Sequence, residues 1–215
     1  MIRFIKNNVI LLMIICLGCN PNHPADTLPF FNRPDFTPEW IEKEKPIFST
    51  IHTIPSFLFT DQDGNSIDEK TVEGKIYVAN FMFTSCVSIC PVMTDNMKTL
   101  QEKFADDSEV VLLSHSVLPA VDSVSVLKKY AARKGIKSNK WHLLTGNRDS
   151  IYAIAKKQYF AGDSIGFYGN QRDFLHTENF ILVDKHRRIR GVYNGTLRIE
   201  MDRIIEDIFI LKKEE

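Results

Sequence analysis

Two cysteines, Cys86 and Cys90, carry the chemistry this chain offers most directly. They lie in the stretch Phe83-Thr84-Ser85-Cys86-Val87-Ser88-Ile89-Cys90-Pro91. One helical turn or a tight loop brings positions i and i+4 to the same side. Such a pair can form a reversible disulfide or supply two thiolate ligands to one metal ion; otherwise it packs as two inert small side chains. Pro91 suits the first position of a helix and puts Cys90 immediately before the helix body. A thiolate there feels the positive end of the helix dipole, so its pKa is expected to fall. The pair alone does not separate metal binding from thiol exchange, and a third ligand would. The histidines are His23, His52, His115, His142, His176 and His186. His23 sits in a Pro-rich segment and His186 in a charged turn, which disfavours both. His142 lies in a short strand. His115 follows the run EVVLLS, near the edge where a parallel sheet gathers functional groups. His176 lies in the connection entering the last strand pair. On pattern alone His176 leads and His115 follows, with neither fixed.

The elements that must position these residues alternate between strand and helix. Lys75–Phe83 (KIYVANFMF) is apolar and β-prone throughout, as a strand buried on both faces would be. Pro91–Phe104 has Val92, Met93, Met97, Leu100 and Phe104 near helical spacing, and the methionines are expected to pack around that helix. Glu109–Ser114 reads as a second buried strand, Ser123–Lys134 as a helix ended by Gly135, Trp141–Leu144 as a short strand and Arg148–Gln158 as a helix. Upstream, Pro55–Thr60 and the return at Ile67 flank an Asp-Gly turn. Asn179–Asp184 and Ile189–Tyr193 form a hairpin whose tip, Lys185–Arg190 (KHRRIR), is expected to be solvated. Thr196–Leu211 is an amphipathic helix, with Leu197, Met201, Ile204, Ile205 and Ile208 inward. This order describes an α/β, thioredoxin-like sandwich with a central mixed sheet.

The whole chain has 215 residues, 27 basic and 27 acidic side chains, and is 44% hydrophobic, which excludes a disordered tail, a collagen-like fibre and a disulfide-dense miniprotein. Zero net charge gives no electrostatic case for a nucleic-acid partner. Arg3 and Lys6 precede an apolar run, Val9–Leu17, that is too short to cross a bilayer comfortably and suits a signal-peptide core. The run ends in Cys16-Leu17-Gly18-Cys19 and resembles a bacterial lipoprotein signal, although Cys16 stands where Leu is usual. The expectation is residues 1–18 as signal peptide, lipid on Cys19, and the globular body on the periplasmic or outer side of a bacterial membrane. Loss of Arg3 and Lys6 would leave the working protein slightly acidic. Residues 19–46 read as a lipid-anchored, Pro-rich tether. Phe30, Phe31, Phe36, Trp40 and Ile41 are unusual in a free spacer, so 29–46 is expected to lie as a strap on the body, residues 47–215.

Four blocks together resemble the Sco/SenC family: FMFTSCVSICPVM, SVLPAVDSVSVLKKYA, WHLLTGNRDSIYAIAK and HTENFILVDKHRRIRGVYNG. The likeness spans about 52–211. It implies a thioredoxin-like, membrane-tethered copper protein that helps assemble the dinuclear copper site of cytochrome c oxidase. The family's ligands match Cys86, Cys90 and His176. Two thiolates and an imidazole suit copper in either oxidation state. Oxidation to a Cys86–Cys90 disulfide would abolish the site, so metal delivery and dithiol reduction are alternative uses of the same sulfurs. The alternative class is therefore a thiol-disulfide oxidoreductase acting on exported proteins. Two positions depart from the family pattern. Leu118 precedes Pro119 where an Asp is common, though Asp122 is retained, and Leu175 precedes His176 where an acidic residue is common. Glu178 or Asp173 are the candidates to orient His176 instead.

Overall fold

A computed structural model describes residues 27–161 and 177–214. The elements run β1 (Phe30–Phe31), β2 (Pro38–Glu39), β3 (Leu58–Thr60), β4 (Ser66–Asp68), α1 (Glu69–Val72), β5 (Ile76–Met82), α2 (Ile89–Lys103), β6 (Val110–Ser116), α3 (Val124–Lys134), β7 (Trp141–Leu144), α4 (Arg148–Lys157), β8 (Asn179–Val183), β9 (Ile189–Asn194) and α5 (Arg198–Leu211). The central sheet has the order β7-β6-β5-β8-β9. β5, β6 and β7 are parallel, and β8 and β9 are antiparallel to their neighbours. The sheet is therefore mixed, with β5 at its centre and all seven β5 residues buried. That is why β5 reads as an unbroken apolar run rather than an alternating one.

Period-two alternation divides the core into two layers. Tyr77, Ala79, Phe81, Val111 and Leu113 face α4, the β3–β4 hairpin and Ile54. Val78, Leu112, Phe180 and Leu182 face α2, α3 and α5, and Met82, Met93 and Met97 are all buried there as methionine packing around the helix requires. Leu197, expected inward, is 49% exposed, and Val92, placed near the helical spacing of α2, is 46% exposed. Leu197 precedes the first residue of α5, and Val92 lies on the face of α2 opposite the buried Cys90, Met93 and Met97. Gly135 takes the left-handed conformation (φ 71°) that closes α3.

Residues 27–54 pack along the β9 side of the body and across the end of α4. Phe30 is buried, β1 contacts β9, and His52 reaches the carbonyl of Gln158 at 2.8 Å. Arg190 holds this segment down. It donates to the carbonyls of Leu28 (2.6 Å) and Pro29 (3.1 Å) and pairs with Glu214 (2.7 Å) and Asp184 (3.3 Å). Its guanidinium lies 4.2 Å from the centre of the Phe30 ring. Arg190 is thus 5% exposed, which corrects the expectation that the whole 185–190 tip is solvated. Neighbouring carboxylates and carbonyls compensate the buried charge. Among the described residues, no helix is long and apolar enough to cross a membrane. The expected signal sequence, Cys16, Cys19 and His23 lie outside the described residues.

Candidate metal and thiol centre

β5 ends at Met82, and the chain turns over its carboxyl end into α2. The turn is closed by the Cys86 N–H donating to the Phe83 carbonyl at 3.3 Å, and the Val117 N–H reaches the Met82 carbonyl at 2.9 Å. Both cysteines are free thiols, Cys86 half-buried and Cys90 buried. They are near enough for each thiol to shift the proton affinity of the other. α2 begins at Ile89, so Cys90 lies inside the first turn instead of just ahead of the helix.

That one-residue difference changes the electrostatics. Burial raises the Cys86 pKa, but hydrogen bonds from the Cys90 amide and thiol and from the Ser88 and Ile89 amides outweigh it, so the thiol sits below its ordinary value. Cys90 moves the other way. Burial pushes it up to about 12, against a lowering hydrogen bond from the Phe83 amide, and its place as donor to Cys86 adds to the rise. The lowered pKa expected of Cys90 therefore belongs to Cys86. The N–H groups of the first turn converge on Cys86, while Cys90, 4% exposed, faces Met93 and the apolar layer.

The loop carrying the pair is pinned by a residue outside it. Asp122 is fully buried, and its carboxyl group accepts from the Thr84 N–H (3.1 Å), the Thr84 hydroxyl (2.5 Å) and the Ser116 hydroxyl (2.6 Å). The Leu118 N–H donates back to the Ser116 oxygen at 3.2 Å. One side chain thus joins the cysteine loop to the loop after β6. On the helix side, the Thr94 hydroxyl donates to the Cys90 carbonyl (2.8 Å) and meets the Tyr130 hydroxyl (2.8 Å). Thr84 and Ser116 gave no signal by type; their nearness in sequence to Cys86 and to the end of the EVVLLS run was the only hint.

The histidines separate cleanly. β6 extends through Ser116, so His115 lies within the strand and not after it. Its side chain is fully buried on the α4 face, among Phe81 (5.2 Å between ring centres), Phe59 (5.4 Å) and Tyr159 (5.7 Å). Cys90 lies on the other face, so His115 is not brought to the thiols. His142 sits at the sheet edge, 3.1 Å from Asp61. His52 and His186 lie far from the cysteine loop, one against α4 and one at the hairpin tip. His176, Leu175 and Asp173 lie outside the described residues. The next residues are described: Thr177 is buried, and the Glu178 carbonyl accepts the Gly195 N–H at 2.6 Å. The Gly195 carbonyl in turn accepts from Asn96 of α2 at 2.9 Å. The chain therefore re-enters the sheet beside the cysteine-bearing helix. The Glu178 side chain binds Asn194 at 2.9 Å. Among the described residues no three His, Cys, Asp or Glu side chains are grouped to hold a metal ion.

A mixed α/β sandwich with two neighbouring free thiols at a strand-to-helix junction is a thioredoxin-like thiol protein. Within that class the chain belongs to the SCO1/SenC family, whose sequence model matches residues 48–211. It is 32% identical over 159 residues to the SCO1 protein homolog of Bacillus subtilis, covering 73% of this chain and 81% of that one. The crystal structure of a SCO1/SenC family lipoprotein from Bacillus anthracis is similar, with a TM-score of 0.66 at 30% identity, over 75% of this chain and 95% of that chain. BsSco, described as a member of the Sco family of cytochrome c oxidase assembly proteins with a disulfide switch, gives 0.65 at 30% identity, over 77% and 96%. Yeast Sco1, solved with copper bound, gives 0.56 at 25% identity, over 74% and 89%.

Proposed function

We propose that this protein is a membrane-anchored copper chaperone that holds the ion through Cys86, Cys90 and His176 and delivers it to the dinuclear copper site of cytochrome c oxidase. The observation that carries the reading is the pair of neighbouring free thiols at the carboxyl end of β5, one of them acidified and half-exposed. Two soft sulfurs on one loop fit a copper ion, and a ligand set this small lets the ion leave by ligand exchange. The copper-bound yeast relative and the oxidase-assembly role of BsSco support the same reading. Residues 1–18 are the signal peptide, Cys19 carries lipid, 19–46 form tether and strap, and 47–215 the Sco domain. The lipoprotein from Bacillus anthracis is consistent with that layout.

The test is an anaerobic copper titration of the reduced chain against its His176→Ala variant. The three-ligand site predicts one ion per chain and weaker binding in the variant. Equal affinity in both would remove His176 from the site.

The opposite displacement of the two thiol pKa values favours a second use of the same pair. Cys86 as thiolate attacks a client disulfide, giving a mixed disulfide and releasing one client thiolate. Cys90 then loses its proton and attacks the Cys86 sulfur. The client leaves with two thiols, and the pair, having given two electrons, becomes a disulfide. This order predicts that Cys90→Ser traps the mixed disulfide and Cys86→Ser does not. Trapping that needs Cys90 as the attacker would reverse the assignment.

A further inference from the structure

We propose that the surface formed by Leu28, Trp40, Ile41 and Phe48 over the buried Phe30, with Ile47 beside it, rests on the phospholipid bilayer, so that the thiol pair points away from the membrane. The inference rests on the anchored reading above and adds to it an orientation and a contact face.

Three observations converge. The first is position. Leu28, Phe30, Trp40, Ile41, Phe48 and Arg190 line one groove. Arg190 is the second residue of β9, next to the residues paired with the start of β5, whereas the cysteine loop leaves the end of β5. Seven residues of β5 separate the two poles, about 23 Å of strand.

The second is the chain itself. Residues 1–26 precede the first described residue, Thr27, which also lines the groove. They include the apolar run Val9–Leu17 and Cys19. From Cys19 to Thr27 the backbone can span at most about 28 Å. Any attachment to a membrane through that stretch holds this pole close to the lipid and raises its effective concentration there. Arg190 and Glu214 clamp the entry point, Leu28, to the body, so the pole cannot swing free of the tether.

The third is residue chemistry. Trp40 is 41% exposed and Ile47 54% exposed. Tryptophan favours the boundary between headgroups and acyl chains. The segment Glu42-Lys43-Glu44-Lys45 has no net charge. The contact is therefore with the interfacial zone of any phospholipid, and salt should barely change it.

Of the two tryptophans, Trp141 is 1% exposed, which leaves Trp40 as the reporter. The full chain is reconstituted into phosphatidylcholine vesicles, with and without brominated acyl chains, and the mass of the N-terminal peptide shows whether Cys19 carries lipid. The expected result is loss of most Trp40 emission in brominated vesicles at both low and high salt, with the residual emission of Trp40→Phe unquenched. Quenching on an unlipidated chain would uphold the contact face and remove the anchor. A lipidated, vesicle-bound chain with unquenched Trp40 would overturn the contact face and leave the anchor. Neither lipid nor quenching would overturn both.

Discussion

His115 and Ser116 are consecutive residues at the end of β6, and strand alternation sends them to opposite faces. The Ser116 hydroxyl enters the Asp122 cluster, where every buried polar group has a partner and the product is a fixed cysteine loop. Neither ring nitrogen of His115 has a hydrogen-bond partner among the described residues, and the ring is walled by Phe59, Phe81 and Tyr159. The two faces thus spend buried polarity differently. On the thiol side it positions a reactive loop. On the α4 side it costs stability and reaches no thiol. Residue type alone would rank the histidine as the more functional of the two, and the hydrogen-bond ledger reverses that order.

The comparison breaks most severely at Asp122. Asp122→Ala leaves the Ser116 hydroxyl buried without an acceptor and strips the half-buried Thr84 amide and hydroxyl of theirs, and a buried unmade bond costs about 1–3 kcal/mol. Relaxation and water entry will recover part of this, so the expected loss is about 3–4 kcal/mol in denaturant unfolding, with a faster and less selective reaction of Cys90 with a small alkylating agent. Asp122→Asn keeps an acceptor and should lose less. Unfolding curves of Asp122→Ala that overlay the wild type would show that the cluster does not hold the loop.

His115 sharpens the comparison with the opposite sign. Burial lowers its pKa to about 3. The folded state therefore refuses a proton that the unfolded chain accepts below about pH 6.5. Stability is fully present above that pH and is lost as the pH falls toward about 3. At pH 5 the loss from this one group is about 2 kcal/mol, at 1.4 kcal/mol per unit. Replacing the ring with the similarly sized phenyl in His115→Phe removes the loss. The difference in unfolding free energy between variant and wild type should grow in favour of the variant from pH 7 to pH 5. A difference that stays constant over that range would mean that His115 is solvated or partnered in solution.

These environments explain what the sequence could and could not disclose. The apolar run ending at Phe83, followed by Cys86, Cys90 and Pro91, located the thiol site because strand, turn and helix start are local signals. Which thiol is acidified was not local: it depends on α2 beginning one residue before Cys90 and on Met93 and Met97 filling the space beside it. His115 read as a residue just past a strand because Ser114, His115 and Ser116 are polar, yet they continue the β6 ladder against Asn80–Met82. Arg190 read as part of a charged tip because its partners, the Leu28 and Pro29 carbonyls and Glu214, are distant in sequence. Leu197 lies just ahead of α5, where the helical period does not apply, and Val92 lies on the face of α2 opposite Met93 and Met97. The resemblance carried by the four sequence blocks, with the family match over 48–211, reached further than any of these patterns.

The smallest effect comes from trimming the thiol-side network at its outer member. Ser116→Ala removes one of three donors to Asp122 and leaves the two from Thr84 in place. It also deprives the Leu118 N–H of its acceptor, but Leu118 is only half-buried, so water can replace that bond. Loss of a single hydrogen bond with both remaining partners satisfied costs about 1 kcal/mol. Because the cysteine loop is held through Thr84, the relative alkylation rates of Cys86 and Cys90 should not change. Asp122→Ala and Ser116→Ala therefore differ in kind as well as size: one frees the loop, the other only weakens the fold. If Ser116→Ala shifts the thiol rates as far as Asp122→Ala does, the β6 strand end, and not the bond from Asp122 to Thr84, sets the loop.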